Sequence, residues 1–526
     1  MLRTLAGVLF FAGFLFSQPS YDILIRGARV VDGTGNPWYV ADVAIRGDTI
    51  AAVGYLHGAT GRKVIDAKGL ILTPGFIDIH SHVRHGLFAF PSAENAIRQG
   101  VTTVVEGNDG GSPLPLGDFL AKVARTPIAL NFASFVGQGS VREKVIGLEN
   151  RPATGGEIDR MKQLVAEAMR QGAFGLSSGL FYVPGNYSST EEVIELARVA
   201  GNSGGMYISH IRDEAASVLD AVKETIRIGV EGGLPVQVTH HKIIGAPNWG
   251  RSADTLKLID EARSRGVDVT LDQYPYTASN TGSAALFPQW AQAGGRSQLL
   301  VRLGDPGQRA RIKAEIVRRI RDDRGGGDPK NVVMASCGFD RAMAGKSLAA
   351  ISDQRGKAPT VESAAELVIE IQKKGGCSVI YHSMDERDLL AILQYPWTMI
   401  ASDGGTLNPE DGVPHPRNYG TFARVLGRYV RDRRMLHLEE AVRKMTSLPA
   451  NRLKIQDRGL IRPGQKADVA LFDAAKVLDR ATFENPRQYA DGFVHVLVNG
   501  LPVLWDGQMT QQRPGRVLYG PARQKD

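Results

Sequence analysis

Two histidines, His80 and His82, stand two residues apart in the segment LTPGFIDIHSH, at the end of an apolar run. Alternate residues of a β-strand share a face, so both imidazoles can reach one metal ion. Four other segments carry groups of the same kind: MYISHIRDE with His210, VQVTHHK with His240, His241 and Lys242, TMIASDGG with Asp403, and VVEGNDGG with Glu106 and Asp109. Taken singly, a strand-end histidine can be satisfied by backbone groups, and an aspartate before glycines can shape a turn. Taken together, they bring imidazoles and carboxylates to the ends of successive strands, where a parallel barrel gathers its active site.

That donor set suits Zn, with Mn, Co or Ni as competitors. Four histidines and two carboxylates can hold two ions if one group bridges them. Such ions acidify water and polarise a carbonyl. A neighbouring carboxylate can take the proton of that water and pass it to a leaving amine. Asp403 is the natural choice for this role.

The elements that must position these groups follow from periodicity. Apolar runs predict strands over Leu72–His80, Thr102–Gly107, Ile128–Phe135, Phe174–Ser178, Met206–His210, Pro235–His240, Asp268–Tyr274, Val332–Ser336, Ser378–His382 and Thr398–Ser402. Helical stretches lie between them, among them Glu157–Gln171, Thr190–Asn202, Ala215–Glu231 and Ser252–Arg265. The alternation predicts an α/β chain with a (β/α)8 TIM-type barrel over residues 71–460. There are more strands than eight, and the surplus falls in a Gly-rich, charged insertion at about 284–360. Long insertions in barrels serve as lids or binding loops. Short alternating strands with turns at Asp32-Gly33 and Gly47-Asp48 fill residues 20–70, and similar strands return over 461–515. The two ends predict one small β-sandwich, with 516–526 as a tail.

A chain of 526 residues suits a large barrel with a second small domain. The net charge is +8 with both signs interspersed, which argues against nucleic-acid binding; the dense basic run Arg309 to Arg324 reads as a solvated helix face. Residues 1–19 carry Arg3, an apolar stretch from Leu5 to Phe16 and then small and polar residues, the pattern of a signal peptide. The expected location is periplasmic or secreted, without stable membrane insertion after cleavage. Cys337 and Cys377 stand in no metal-type spacing and are free to pair in an oxidising compartment.

The chain resembles the N-acyl-D-amino-acid deacylase (D-aminoacylase) family of the metal-dependent amidohydrolase superfamily. The resemblance rests on TPGFIDIHSH (73–82), GVTTVVEGNDGG (100–111), GLSSGLFYVPG (175–185), YISHIRDE (207–214), VTHHKIIG (238–245), NWGRS (248–252), DQYPYTAS (272–279), ASDGG (401–405) and HPRNYGTF (415–422). It implies hydrolysis of N-acyl-D-amino acids to a carboxylic acid and a D-amino acid. It also implies that His80, His82 and Asp403 hold one metal, that His210 and His240 hold a second, and that Asp403 is general base and then acid. Lys242, Tyr274 and Arg417 fall where the family binds the substrate carboxylate; Tyr276 rivals Tyr274, and a rim salt bridge is the structural alternative for Lys242 and Arg417. His241 reads as a packing or supporting residue, and Arg212 and Glu214 as tethers of a strand-end loop. A dipeptidase acting on D-residue-containing dipeptides is the related alternative. Cyclic-amide hydrolysis leans on a carboxylated lysine, and no lysine stands at the matching strand end. A non-catalytic scaffold would have lost ligands that this chain keeps.

One departure is informative. The family has a cysteine ligand in GNCG, whereas this chain reads GNDG, with Asp109 in its place. Oxygen replaces thiolate, and a carboxylate can bridge two ions through separate oxygens. Glu106 is the competing bridge. Activity is expected to be lost in Asp109→Ala and kept in Glu106→Ala; the opposite result in a hydrolysis assay would exchange the two assignments.

Overall fold

The computed structural model describes residues 20–408 and 410–524. The segment read as a signal peptide, residues 1–19, lies outside the described residues. Among the described residues no helix is long and apolar enough to cross a membrane.

Eight parallel strands carry the site: β1 (Phe76–Asp78), β2 (Val101–Glu106), β3 (Asn131–Ser134, resumed as Val136–Gly137), β4 (Gly175–Gly179), β5 (Met206–His210), β6 (Val236–Val238), β7 (Val269–Gln273) and β8 (Thr398–Ile400). Each pairs in parallel with the next in chain order. Beyond the ends of β8 and β1, a parallel bridge joins Ser81 to Gly404, with Asp403 N donating to His80 O and His82 N to Gly404 O. All residues of these strands are buried, as expected of strands covered on both faces. Helices Gly155–Gln171, Thr190–Asn202, Val218–Gly232 and Ser252–Ser264 run between them, close to the predicted spans. Thr154 and Glu157 form a reciprocal cap at the start of the first.

The predicted strand Leu72–His80 divides in two. Ile71–Pro74 joins a terminal sheet, and β1 begins after Gly75. A Cβ at Gly75 would come within 2.2 Å of Thr102 Oγ1, so only glycine lets the chain cross between the sheets there. His80 and His82 consequently sit just past the end of β1 and not on it. The terminal sheet has nine strands drawn from both chain ends, and Ile71–Pro74 against Val469–Phe472 is the antiparallel seam that joins them. Its core includes Ile25, Val43, Ile45, Leu72, Val469 and Leu497. The end segment does not behave as a tail. Val517 bridges Phe132, Leu518 N donates to Phe132 O, and Gly520 N donates to Gly172 O.

The surplus strands form their own antiparallel sheet, in which Ser378–Tyr381 lies between Ser279–Gly282 and Val332–Ser336. This inserted unit therefore begins before residue 284 and reaches beyond 360, and it has a separate core around Phe287, Ile312, Ile316, Leu367 and Tyr381. The basic run is not wholly solvated. Arg319 and Arg324 are 8% and 3% exposed. Arg319 donates to Ala285 O and Phe287 O, two carbonyls that tertiary packing brings against it from 34 and 32 residues away in the chain.

Cys337 and Cys377 are joined in a disulfide across this unit, 40 residues apart in sequence. Closing a loop of that length restricts the unfolded chain by about 4 kcal/mol on the chain-entropy model. Reduction, or the double substitution Cys337→Ser with Cys377→Ser, is expected to lower the thermal midpoint by several degrees, measured by calorimetry with and without reductant.

Candidate metal centre and active site

The site assembles from segments that leave the strand ends abruptly. Asp109, His240 and Asp403 all take left-handed backbone, with φ of 53°, 34° and 49°. Such conformations are costly for non-glycine residues and cluster where function requires them. The turn that holds Asp109 needs Gly107, at φ 78°, where a Cβ would meet Phe135 O at 2.3 Å.

Two groups of ligand-type atoms result, each lying within 4.8 Å of one another: His80, His82, Asp109 and Asp403, and Asp109, His210 and His240. Asp109 belongs to both. Its Oδ2 is 3.5 Å from His80 Nε2 and 3.4 Å from His82 Nε2. Its Oδ1 is 3.4 Å from His240 Nε2 and 4.0 Å from His210 Nδ1. Asp403 Oδ1 lies 3.0 Å from His82 Nε2 and 3.7 Å from His80 Nε2. His80 is fully buried, yet neither of its ring nitrogens has a hydrogen-bond partner, and His210 Nε2 and Asp109 Oδ1 are orphaned likewise. Buried polar atoms without partners are costly. Imidazole and carboxylate donors left in this way fit a divalent ion such as Zn, whose binding would satisfy them.

Glu106 joins neither group. Its Oε2 accepts from Arg84 N, 2.9 Å away. The three residues expected to meet the substrate face the same cavity, of about 470 Å3, but two are already paired. Lys242 Nζ donates to Glu214 at 2.5 Å and lies 2.7 Å from His240 Nδ1. Arg417 donates to Asp403 Oδ2 at 2.8 Å. Tyr274 is buried with an unpartnered hydroxyl, and its ring lies 4.8 Å from the Arg417 guanidinium. Tyr276 does not line the cavity; it packs on His415 and Phe483. His241 bonds Thr255, and Arg212 ties Glu224 to the carbonyls of Asn186 and Ser188.

Three residues have a larger part than the sequence suggested. Glu214, expected to tether a loop, is buried 3.2 Å from His240 Nδ1 and 4.0 Å from His210 Nε2. Asp272, in the strand-end segment DQYPYTAS, accepts from His240 N at 2.7 Å and stands 3.6 Å from His80 Nδ1. A carboxylate so placed orients a ligating imidazole. Tyr182 packs against His210 with ring centroids 4.5 Å apart, and its hydroxyl reaches Thr281 in the inserted unit. The strand-end carboxylate was a readable signal for Asp272; nothing in the spacing marks Tyr182.

The electrostatics follow from these contacts. Burial opposes the His80 imidazolium, but Asp109 and Asp403 outweigh it and hold the ring well above its ordinary pKa. His82 is likewise opposed by burial and raised by the same two carboxylates, to about 9. Burial takes His210 down to about 3. Burial opposes ionisation of Asp403, yet Arg417 and His80 hold it below the usual carboxylate range.

A model of the amidohydrolase family matches residues 63–504. The chain is similar to a D-aminoacylase of Alcaligenes xylosoxydans xylosoxydans, 39% identical over 95% of this chain and 98% of that protein. It is similar to an N-acyl-D-aspartate deacylase of the same organism, 37% identical over 94% of this chain and 95% of that one. Among solved structures it resembles the N-acyl-D-glutamate deacylase of Bordetella bronchiseptica in complex with zinc and a phosphonate mimic of the reaction's tetrahedral intermediate. That structure has a TM-score of 0.82 and 35% identity, with 95% of this chain and all of that one covered.

Metal ligands must be deprotonated, so metal binding has to expel the proton that His82 holds up to about pH 9. The affinity for zinc is therefore expected to fall as pH drops below that value, by about tenfold per unit for each proton displaced. Chelator competition at several pH values, with proton release read by calorimetry in buffers of different ionisation heat, measures this; a pH-independent affinity would contradict it.

Proposed function

Since the chain belongs to the amidohydrolase family, we propose that it hydrolyses the amide bond of N-acyl-D-amino acids, releasing a carboxylic acid and a D-amino acid. The observation that carries this reading is the Asp109 carboxylate set between His80 with His82 on one side and His210 with His240 on the other. These residues, with Asp403, would hold one or two zinc ions. Bound metal would supply Lewis acidity toward water and toward the acyl carbonyl. We read the eight parallel strands as a closed (β/α)8 barrel, supported by the Ser81–Gly404 bridge, and the terminal sheet as a β-sandwich, supported by its shared core.

The chain's own residues divide the remaining work. Lys242, Tyr274 and Arg417 receive the free carboxylate of the substrate; the two cations offer charge-assisted bonds and the phenol a neutral donor. Asp403 takes a proton from water and returns it to the leaving nitrogen. Its ion pair with Arg417 keeps it ionised before substrate arrives. A substrate carboxylate competes for Arg417, weakens that pair and raises the basicity of Asp403 when a base is needed. Glu214 does the same service for Lys242, holding the ammonium in the wall of the cavity. Asp272 fixes the backbone of His240 and faces the buried nitrogen of His80. The reading extends to export, supported by the apolar stretch within residues 1–19 and by the Cys337–Cys377 disulfide, which suits an oxidising compartment.

A panel of N-acetyl-D- and N-acetyl-L-amino acids and of dipeptides, assayed with Zn, Mn and Co, tests the activity. D-configured N-acyl substrates are expected to be cleaved and their L-enantiomers spared. Absence of hydrolysis of every D-configured substrate would overturn the reading.

A further inference from the structure

Three fixed cations line the active-site cavity: Lys242, Arg324 and Arg417. Glu214 neutralises the first and Asp403 the third. Arg324 has no such partner. It is 3% exposed, and among the described residues its guanidinium meets no carboxylate and makes no hydrogen bond. It is held instead against two rings, 4.8 Å from the centroid of Phe181 and 5.3 Å from that of Tyr381. The two rings offer cation–π attraction and no anion, so the charge has no counter-charge in the wall of the cavity. The neighbouring acids are committed elsewhere, Asp323 to Arg318 and Asp411 to Arg341.

The wall around Arg324 is polar. Ser279, Thr281, Ser336 and Ser378 line the same cavity, and Ser279 Oγ is buried without a partner. An unpaired guanidinium and an unsatisfied hydroxyl lining one cavity are the chemistry of a carboxylate pocket, since the guanidinium fork donates to both oxygens of a carboxylate. Arg324 closes the segment Arg319–Arg324 of the inserted unit, so this charge comes from outside the eight-stranded frame.

We propose that Arg324 binds a second carboxylate of the substrate, and that the enzyme therefore prefers N-acyl-D-amino acids bearing two carboxylates. The proposal rests on the deacylase reading above. The second carboxylate can sit on the amino-acid side chain or at the end of a dicarboxylic acyl group. Arg324 is a specificity residue and takes no part in bond cleavage.

The test compares zinc-loaded wild type, Arg324→Leu and Arg324→Lys on N-acetyl-D-glutamate, N-acetyl-D-aspartate, N-succinyl-D-leucine and N-acetyl-D-leucine. Wild type is expected to favour at least one diacid over N-acetyl-D-leucine in kcat/KM; which diacid is favoured tells side chain from acyl group. In Arg324→Leu that preference is expected to fall about tenfold or more, mainly through KM, and Arg324→Lys is expected to keep part of it. A wild type that favours N-acetyl-D-leucine, or a preference unchanged in Arg324→Leu, would overturn the proposal and leave the deacylase reading standing. A wild type inactive on all four would overturn the deacylase reading itself. Should Arg324→Leu fail to fold, product inhibition of wild type decides: stronger inhibition by D-glutamate, D-aspartate or succinate than by D-leucine or acetate upholds the proposal, and its absence refutes it.

Discussion

The carboxylate of Asp109 reaches two pairs of imidazoles at once, one oxygen toward His80 and His82 and the other toward His210 and His240. A single residue thereby stands between the segments that follow β1, β5 and β6. The arrangement holds only if the chain turns sharply after β2, which is why Asp109 itself takes left-handed backbone between Gly107 and Gly110. The same conformation recurs at His240 and Asp403. The frame of parallel strands is fully buried, and it can hold these three strained turns because its own packing over-determines them.

Around this centre, among the described residues, Arg324 is the buried cation without a carboxylate partner, while the other charges are paired. Arg417 lies on Asp403, Lys242 on Glu214, and Asp272 faces His80. Such pairs add little net stability when buried, but breaking one is severe. In the proposed mechanism they have a second use: the cations are held ready for a substrate anion that can compete for them. On that proposal the site meets its ligand with charges already oriented, which limits the cost of ordering side chains on binding.

The inserted antiparallel unit sets the outer wall. It contributes Ser279, Ser336 and Ser378 to the cavity, and the disulfide ties the residues that adjoin Ser336 and Ser378. Its own core makes it a separate packing problem from the eight strands. Variation in this unit can therefore alter what the cavity accepts while leaving the ligand set intact, the usual division between frame and loops in α/β enzymes.

Much of the centre was legible in residue types and local spacing. His80, His82, His210, His240, Asp403 and Asp109 stand at the ends of apolar runs, and period and polarity are local properties of a sequence. The preference for Asp109 over Glu106 came from position in the GNDG motif, and the structure turns Glu106 away onto the Arg84 amide. Other features needed the fold. The division of Leu72–His80 at Gly75 depends on a neighbouring strand pressing Thr102 against it. Glu214 read as a tether because nothing local shows that its loop folds back onto His240. The basic run read as a solvated face because its pattern does not disclose that its last residue tucks under Phe181 and Tyr381. Sequence alone determined which donors are available and the period that places them at strand ends, since both are set within a few residues. Only tertiary structure decided which charges meet a partner and which one, Arg324, is left facing the cavity, because burial and pairing depend on how the loops beyond the strand ends fold back on one another, as when Lys242 meets Glu214 and Arg417 meets Asp403.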